Sequence, residues 1–142
     1  MLGVDALQLA TLAPALLPRP AEGQGRLAFL DPDLVFANAA ARERCGVADG
    51  GTLDLQSGSA WRRLHVAGSV AAGGPPLVVM DIAGAQAEFG LNGRLTRIDL
   101  RLQPGTTPAQ WLARVSLPAG VAAATPGDDE QRVSQLSRAY RV

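Results

Sequence analysis

The stretch Leu27–Val47, LAFLDPDLVFANAAARERCGV, decides how the remainder of the chain is read. Arg26–Leu30 reads as a strand. Asp31-Pro32-Asp33 reads as a tight turn whose proline presets φ, and Leu34–Ala37 as the returning strand, so the unit is a hairpin. Asn38 then precedes Ala39-Ala40-Ala41-Arg42-Glu43-Arg44-Cys45, a run of good helix formers. An asparagine there can accept hydrogen bonds from the unpaired amides of the first turn, and Gly46 supplies the stop.

Working outward, Asp49–Ser59 is rich in Gly and Ser with Leu53 and Leu55 alternating, the pattern of a small strand or docked loop. From Ser59, Trp61, Leu64, Val66, Ala67 and Val70 fit one face of a helix of about three turns, ended by Gly73-Gly74-Pro75-Pro76. Leu77–Ile82 is a dense apolar run suited to a strand, and residues 83–93 suit a long turn. Arg94–Leu102 alternates almost perfectly, with Arg97, Asp99 and Arg101 set against Thr96, Ile98, Leu100 and Leu102. That is the period of a half-buried strand. Ala109–Leu117 reads as a further strand with Trp111, Ala113, Val115 and Leu117 on one face. At the N-terminal side, Val4, Leu7, Leu9, Leu12, Leu16 and Leu17 approach helical spacing before Pro18 and Pro20, and residues 19–25 read as a link. Beyond Pro118, a small-residue linker leads to Asp128-Asp129-Glu130, whose acids suit the positive end of a helix carrying Val133, Leu136 and Tyr140.

The chain has 142 residues, enough for one domain with short tails. Gly 16 and Pro 10 favour short elements and frequent turns, hence a sheet-containing α+β domain over a bundle. Thirteen basic residues, all arginine, balance thirteen acidic ones. No basic block exists, so a role in gripping nucleic acid directly is not expected. The single cysteine, Cys45, cannot form an internal disulfide and fits a reducing cytoplasm. The apolar start lacks a basic n-region, carries Asp5 and is broken by prolines, and no run reaches a membrane span; we expect neither export nor insertion. No nucleophile with a base, His-Glu pair at helical spacing or glycine-rich phosphate loop is present, so catalysis is not expected. Gly73-Gly74-Pro75-Pro76 lacks the amide donors a phosphate needs.

With its acidic turn, asparagine-led helix and three later strands, the segment 26–118 resembles the PAS domain, of the kind found as the sensory half of LuxR-type bacterial transcription regulators. The resemblance implies a PAS-like antiparallel sheet of about five strands with helices on one face, plus N- and C-terminal helices. It divides the chain into a helical arm and linker (1–25), a sensory domain (26–118), and a linker with a C-terminal helix (119–142). It further implies sensing in a cavity between sheet and helices, homodimerisation through the terminal helices, and signalling to an output domain or partner protein. Its ligand-binding residues would come from Trp61, His65, Arg97, Arg101 and Trp111. No cofactor is expected from the residues themselves. Cys45, in Glu43-Arg44-Cys45-Gly46, departs from the flavin photosensor motif, whereas His65 stands about where haem-binding relatives place the iron ligand, which makes a haem-based gas sensor the first alternative. A structural oligomerisation domain without ligand is the second. Arg97 and Arg101 admit two readings. Facing a cavity they clamp a carboxylate with Asp99 steadying one of them; facing water they are ordinary surface charge pairs. The bland reading of both tryptophans is core packing.

Overall fold

Leu34–Ala37 is a strand and Ala39–Cys45 a helix, joined by Asn38 as its sequence predicts. The structure, a computed structural model, describes residues 1–125. In chain order the elements are β1 (Leu2–Val4), α1 (Ala6–Leu12), β2 (Arg19–Pro20), β3 (Leu34–Ala37), α2 (Ala39–Cys45), β4 (Thr52–Ser57), β5 (Ala60–Ser69), β6 (Val78–Asp81), α3 (Ile82–Glu88) and α4 (Pro108–Leu112). Short 3-10 turns occupy Pro14–Leu16 and Ala28–Leu30. The fold is α+β. The chain divides into two compact units, Met1–Asp99 and a second beginning at Leu100. The helix expected from Asp128 lies outside the described residues.

In the first unit six strands form one mixed sheet in the order β1-β6-β3-β5-β2, with β4 also on β5. The expected all-antiparallel sheet is corrected: β1 runs parallel to β6 and β3 parallel to β5. Helices on one face are corrected as well, because apolar side chains leave this sheet on both sides. Val35, Ala37, Leu64, Val66, Val78 and Met80 pack on one side with Ala41 of α2 and with Ala85 and Phe89 at α3. Val4, Phe36, Ala67 and Val79 pack on the other with Leu9 of α1 and with Ala28 and Phe29. The consecutive Val66 and Ala67 reach opposite cores by the ordinary alternation of β5, and a register shift between Val35 and Phe36 leaves Ala67 as the extra residue against β3.

Asn38 joins these layers. It is 1% exposed. Its Oδ1 accepts from Ala41 N (2.9 Å) and Leu77 N (2.9 Å), and its Nδ2 donates to Ala72 O (3.1 Å) and Pro75 O (3.0 Å). One side chain therefore caps α2 and holds the connection between β5 and β6, with its full donor and acceptor capacity used. Gly46 ends α2 in the left-handed region, as expected.

Several expected elements differ. Arg26–Leu30 is not a strand: Ala28–Leu30 makes a 3-10 turn that sets Ala28 and Phe29 on the sheet. Asp31 Oδ1 then accepts from Asp33 N at 2.9 Å, tightening the bend into β3. The helix expected from Ser59 is β5. Gly58-Ser59 forms a two-residue hairpin loop with Gly58 at φ 60°, the sign that a II′ turn reserves for glycine. Residues 83–93 are not all turn, since Asp81 Oδ2 accepts from Ala83 N (3.0 Å) and Gly84 N (3.4 Å) and starts α3. Val4 belongs to β1, so the stripe drawn from Val4 to Leu17 is broken and Leu7 points to solvent, 74% exposed. Gly68 is where β2 crosses β5 most closely: a Cβ there would stand on the Arg19 carbonyl oxygen.

Arg94–Leu102 pairs with no strand among the described residues. Alternation permits a strand, but a strand exists only with a neighbour to complete its ladder, and β6 has its two edges taken by β1 and β3. In the second unit, Ala109–Leu117 is likewise not a strand. Thr107 and Gln110 cap each other's backbone reciprocally and Pro108 opens the helix, so α4 forms.

Candidate functional site

The first unit carries an open groove of about 730 Å³ along the outer edge of β1. β1 ends the sheet, so this edge faces the groove rather than a further strand. Its walls follow from the two helices that flank the edge. Asp5 caps α1, accepting from Leu7 N at 3.1 Å and from Gln8 Nε2 at 3.0 Å, and from this helix the half-buried Leu9 and the exposed Leu12 line the groove. On the other side α3 supplies Ile82 and Ala85, followed by Phe89. Gly3 permits the approach, because a Cβ there would meet the Ala85 side chain.

The third wall is the extended segment Arg94–Asp99. Gln86 Nε2 donates to Arg94 O at 2.8 Å and Arg94 N donates to Leu91 O at 2.9 Å, so the start of this wall is fastened to α3 and the loop after it. Leu95 and Ile98 line the groove and are largely exposed. Arg97 forms a fork with Asp99, Nε to Oδ1 at 2.7 Å and a second bond from Nη2 to Oδ2 at 2.9 Å. Both readings of the Arg97-Asp99-Arg101 alternation thus meet in part: Asp99 does hold an arginine at a cavity's rim, and that pair is exposed to water.

Of the five expected ligand-binding residues, only Arg97 lines the groove. Trp61 and His65 lie on β5 of the same unit. Arg101 and Trp111 belong to the second unit, Trp111 half-buried on α4. Trp61, expected in a core, is 67% exposed. The change from helix to strand explains it: alternation puts Trp61, Arg63 and His65 on one face of β5 while Leu64 and Val66 take the buried one. That open face is not the enclosed apolar slot that haem requires. His65 pairs with Thr52 across β4 and with Leu34 across β3.

A hydrogen bond from the Arg63 guanidinium, 2.9 Å from Nε to Oδ1, holds the Asp54 carboxyl below its usual range and raises Arg63 in turn. Cys45 is exposed. Among the described residues no three of His, Cys, Asp and Glu stand together as a metal site, and no helix is long and apolar enough to cross a membrane. The groove therefore offers apolar surface with a charged rim, an arrangement suited to binding.

Of the expected site residues, sequence reasoning placed only Arg97 on the groove; Leu9, Leu12 and Leu16, which also line it, were read as a packing stripe and not as a site. Leu2, Ile82, Phe89, Arg94 and Leu95 were missed. The signal available for them was an apolar residue on each of several short elements, which becomes a site only once the sheet order is known. Comparison with protein-family models, with curated proteins and with solved structures finds no match.

Proposed function

We propose that the chain is a binding module of the sensory and dimerisation kind, PAS-like in role and bacterial in setting, which takes a small apolar ligand or a partner into the groove beside β1. The observation that supports this reading is the groove itself, whose volume falls in the range of small-molecule sites, roughly 300–1,000 Å³, and whose floor is apolar. Its walls come from β1, α1, α3 and the 94–99 segment, so an occupant touches all of them together. Binding energy then favours the arrangement in which those segments are closed on it, and that difference in population is the signal to an output domain or partner. Of the features that suggested the PAS-like resemblance, the asparagine-capped helix after β3 and the strand at Val78–Asp81 are present, while the strand before Asp31 and those at 94–102 and 109–117 are not. A role as a haem sensor has no support from the surroundings of His65.

Titration with an environment-sensitive apolar fluorophore tests the reading. Leu95 is exposed, so Leu95→Glu leaves folding intact while placing a carboxylate in the groove. Saturable one-site binding to the natural chain, lost in Leu95→Glu at unchanged melting temperature, is the expected result. Binding that ignores the substitution overturns it.

A further inference from the structure

We infer that the groove takes an anionic amphiphile, its hydrocarbon part lying on the floor and its carboxylate at Arg94. The inference rests on the groove being the binding site and adds the class of ligand. The floor beside β1, made by Leu2, Leu9, Ile82 and Phe89, offers an extended hydrocarbon dispersion contacts and removal from water but no polar partner. Specificity must therefore come from the rim. There the acids are committed, Asp5 to the cap of α1 and Asp99 to Arg97. Arg94 differs. Among the described residues its guanidinium has no carboxylate partner, and its backbone is fastened at both its N–H and its carbonyl, so the side chain starts from a fixed point on the rim. The uncommitted side-chain charge facing the groove is positive. A carboxylate there gains charge-assisted hydrogen bonds from the planar fork of an arginine, an uncharged hydroxyl gains less, and a cationic head meets like charge.

Calorimetric titration of the whole chain with dodecanoate, dodecanol and dodecyltrimethylammonium, each kept below micelle formation, tests this. Dodecanoate should bind one to one and about tenfold more tightly than dodecanol, with the ammonium weakest. Arg94→Gln should bring dodecanoate to the dodecanol level and leave dodecanol unchanged, Arg94→Lys should restore part of the preference, and Leu95→Glu should weaken all three. Equal binding of the three heads, or a preference that survives Arg94→Gln, overturns the assignment of the head group while leaving the groove as a binding site. Failure of all three chains to bind a protein that still binds the apolar fluorophore overturns the hydrocarbon class. Failure of both probes overturns the groove itself.

Discussion

Replacing Asn38 by alanine removes four hydrogen bonds at a residue that is 1% exposed. Loss of the α2 cap alone costs about 1 kcal/mol. The remaining three partners, Leu77 N, Ala72 O and Pro75 O, are only part-buried, so water reaches some of them. If one or two stay dry, each adds about 1–2 kcal/mol. The expected loss is about 2–5 kcal/mol, a large part of the roughly 5–15 kcal/mol that a domain has in total. Urea unfolding followed by far-ultraviolet circular dichroism measures it, with an unchanged m-value showing that the unfolded chain is the same. Asn38→Ser should recover about 1 kcal/mol, because serine keeps the cap and none of the contacts to the following connection. Asn38→Asp keeps both accepted bonds but turns a carboxylate toward two carbonyl oxygens. Its pKa is then raised in the folded state, so this variant should lose stability as pH rises through the carboxylate range. A loss below about 1 kcal/mol in Asn38→Ala would refute the reasoning, since it would mean that the cap is the whole contribution.

Other substitutions probe other joints. Gly68→Ala sets a methyl on the Arg19 carbonyl oxygen and should cost about 2 kcal/mol or more, with the amide of Ala21, bonded to Ala67 O at 2.8 Å, losing hydrogen-exchange protection first. Asp54 has a depressed folded-state pKa, so its pairing with Arg63 stabilises above the unfolded carboxylate value and is lost as pH falls through the lowered one. Asp54→Asn should flatten that shallow acid-side slope in thermal melts, and salt should shrink the difference because the pair is exposed. Leu7, turned to solvent from α1, is the residue through which an N-terminal dimer contact would run. Light scattering should show Leu7→Glu shifting a dimer toward monomer at unchanged fold, whereas identical masses would remove α1 from the interface.

Local signals were legible and distributed ones were not. Asn38, the alanine-rich turn after it and Gly46 define α2 because capping chemistry acts within a few residues. Val78–Asp81 was legible as a strand because a dense apolar run between prolines and a polar stop has few alternatives. Trp61–Val70 misled because its apolar positions fit a helical face as well as alternation does, and the deciding signal lay just outside it, in the Gly58-Ser59 loop. Thr107-Pro108 and Gln110 carried a helix start that the alternation from Trp111 onward obscured. Arg94–Leu102 is the opposite lesson: its pattern is that of a strand, and whether a neighbour exists is decided elsewhere in the chain. The groove was hardest to see because β1, α1, α3 and residues 94–99 each contribute only a few atoms to it. Arg97 was found as a charged residue in an alternating segment, while Arg94, which differs from it in having no carboxylate partner among the described residues, looked the same in sequence.

The pairing of Leu2 with Val79 has a consequence for how the molecule is made. As the nascent chain leaves the ribosome, its first three-residue strand has no ladder to join until almost the whole first unit has emerged, and the entropy of closing so long a loop falls on very few hydrogen bonds. The β1 margin should therefore be the last piece to zip and the first to fray. A guest bound against it would act as a clasp between two stretches of that unit that lie far apart along the chain, β1 and residues 94–99.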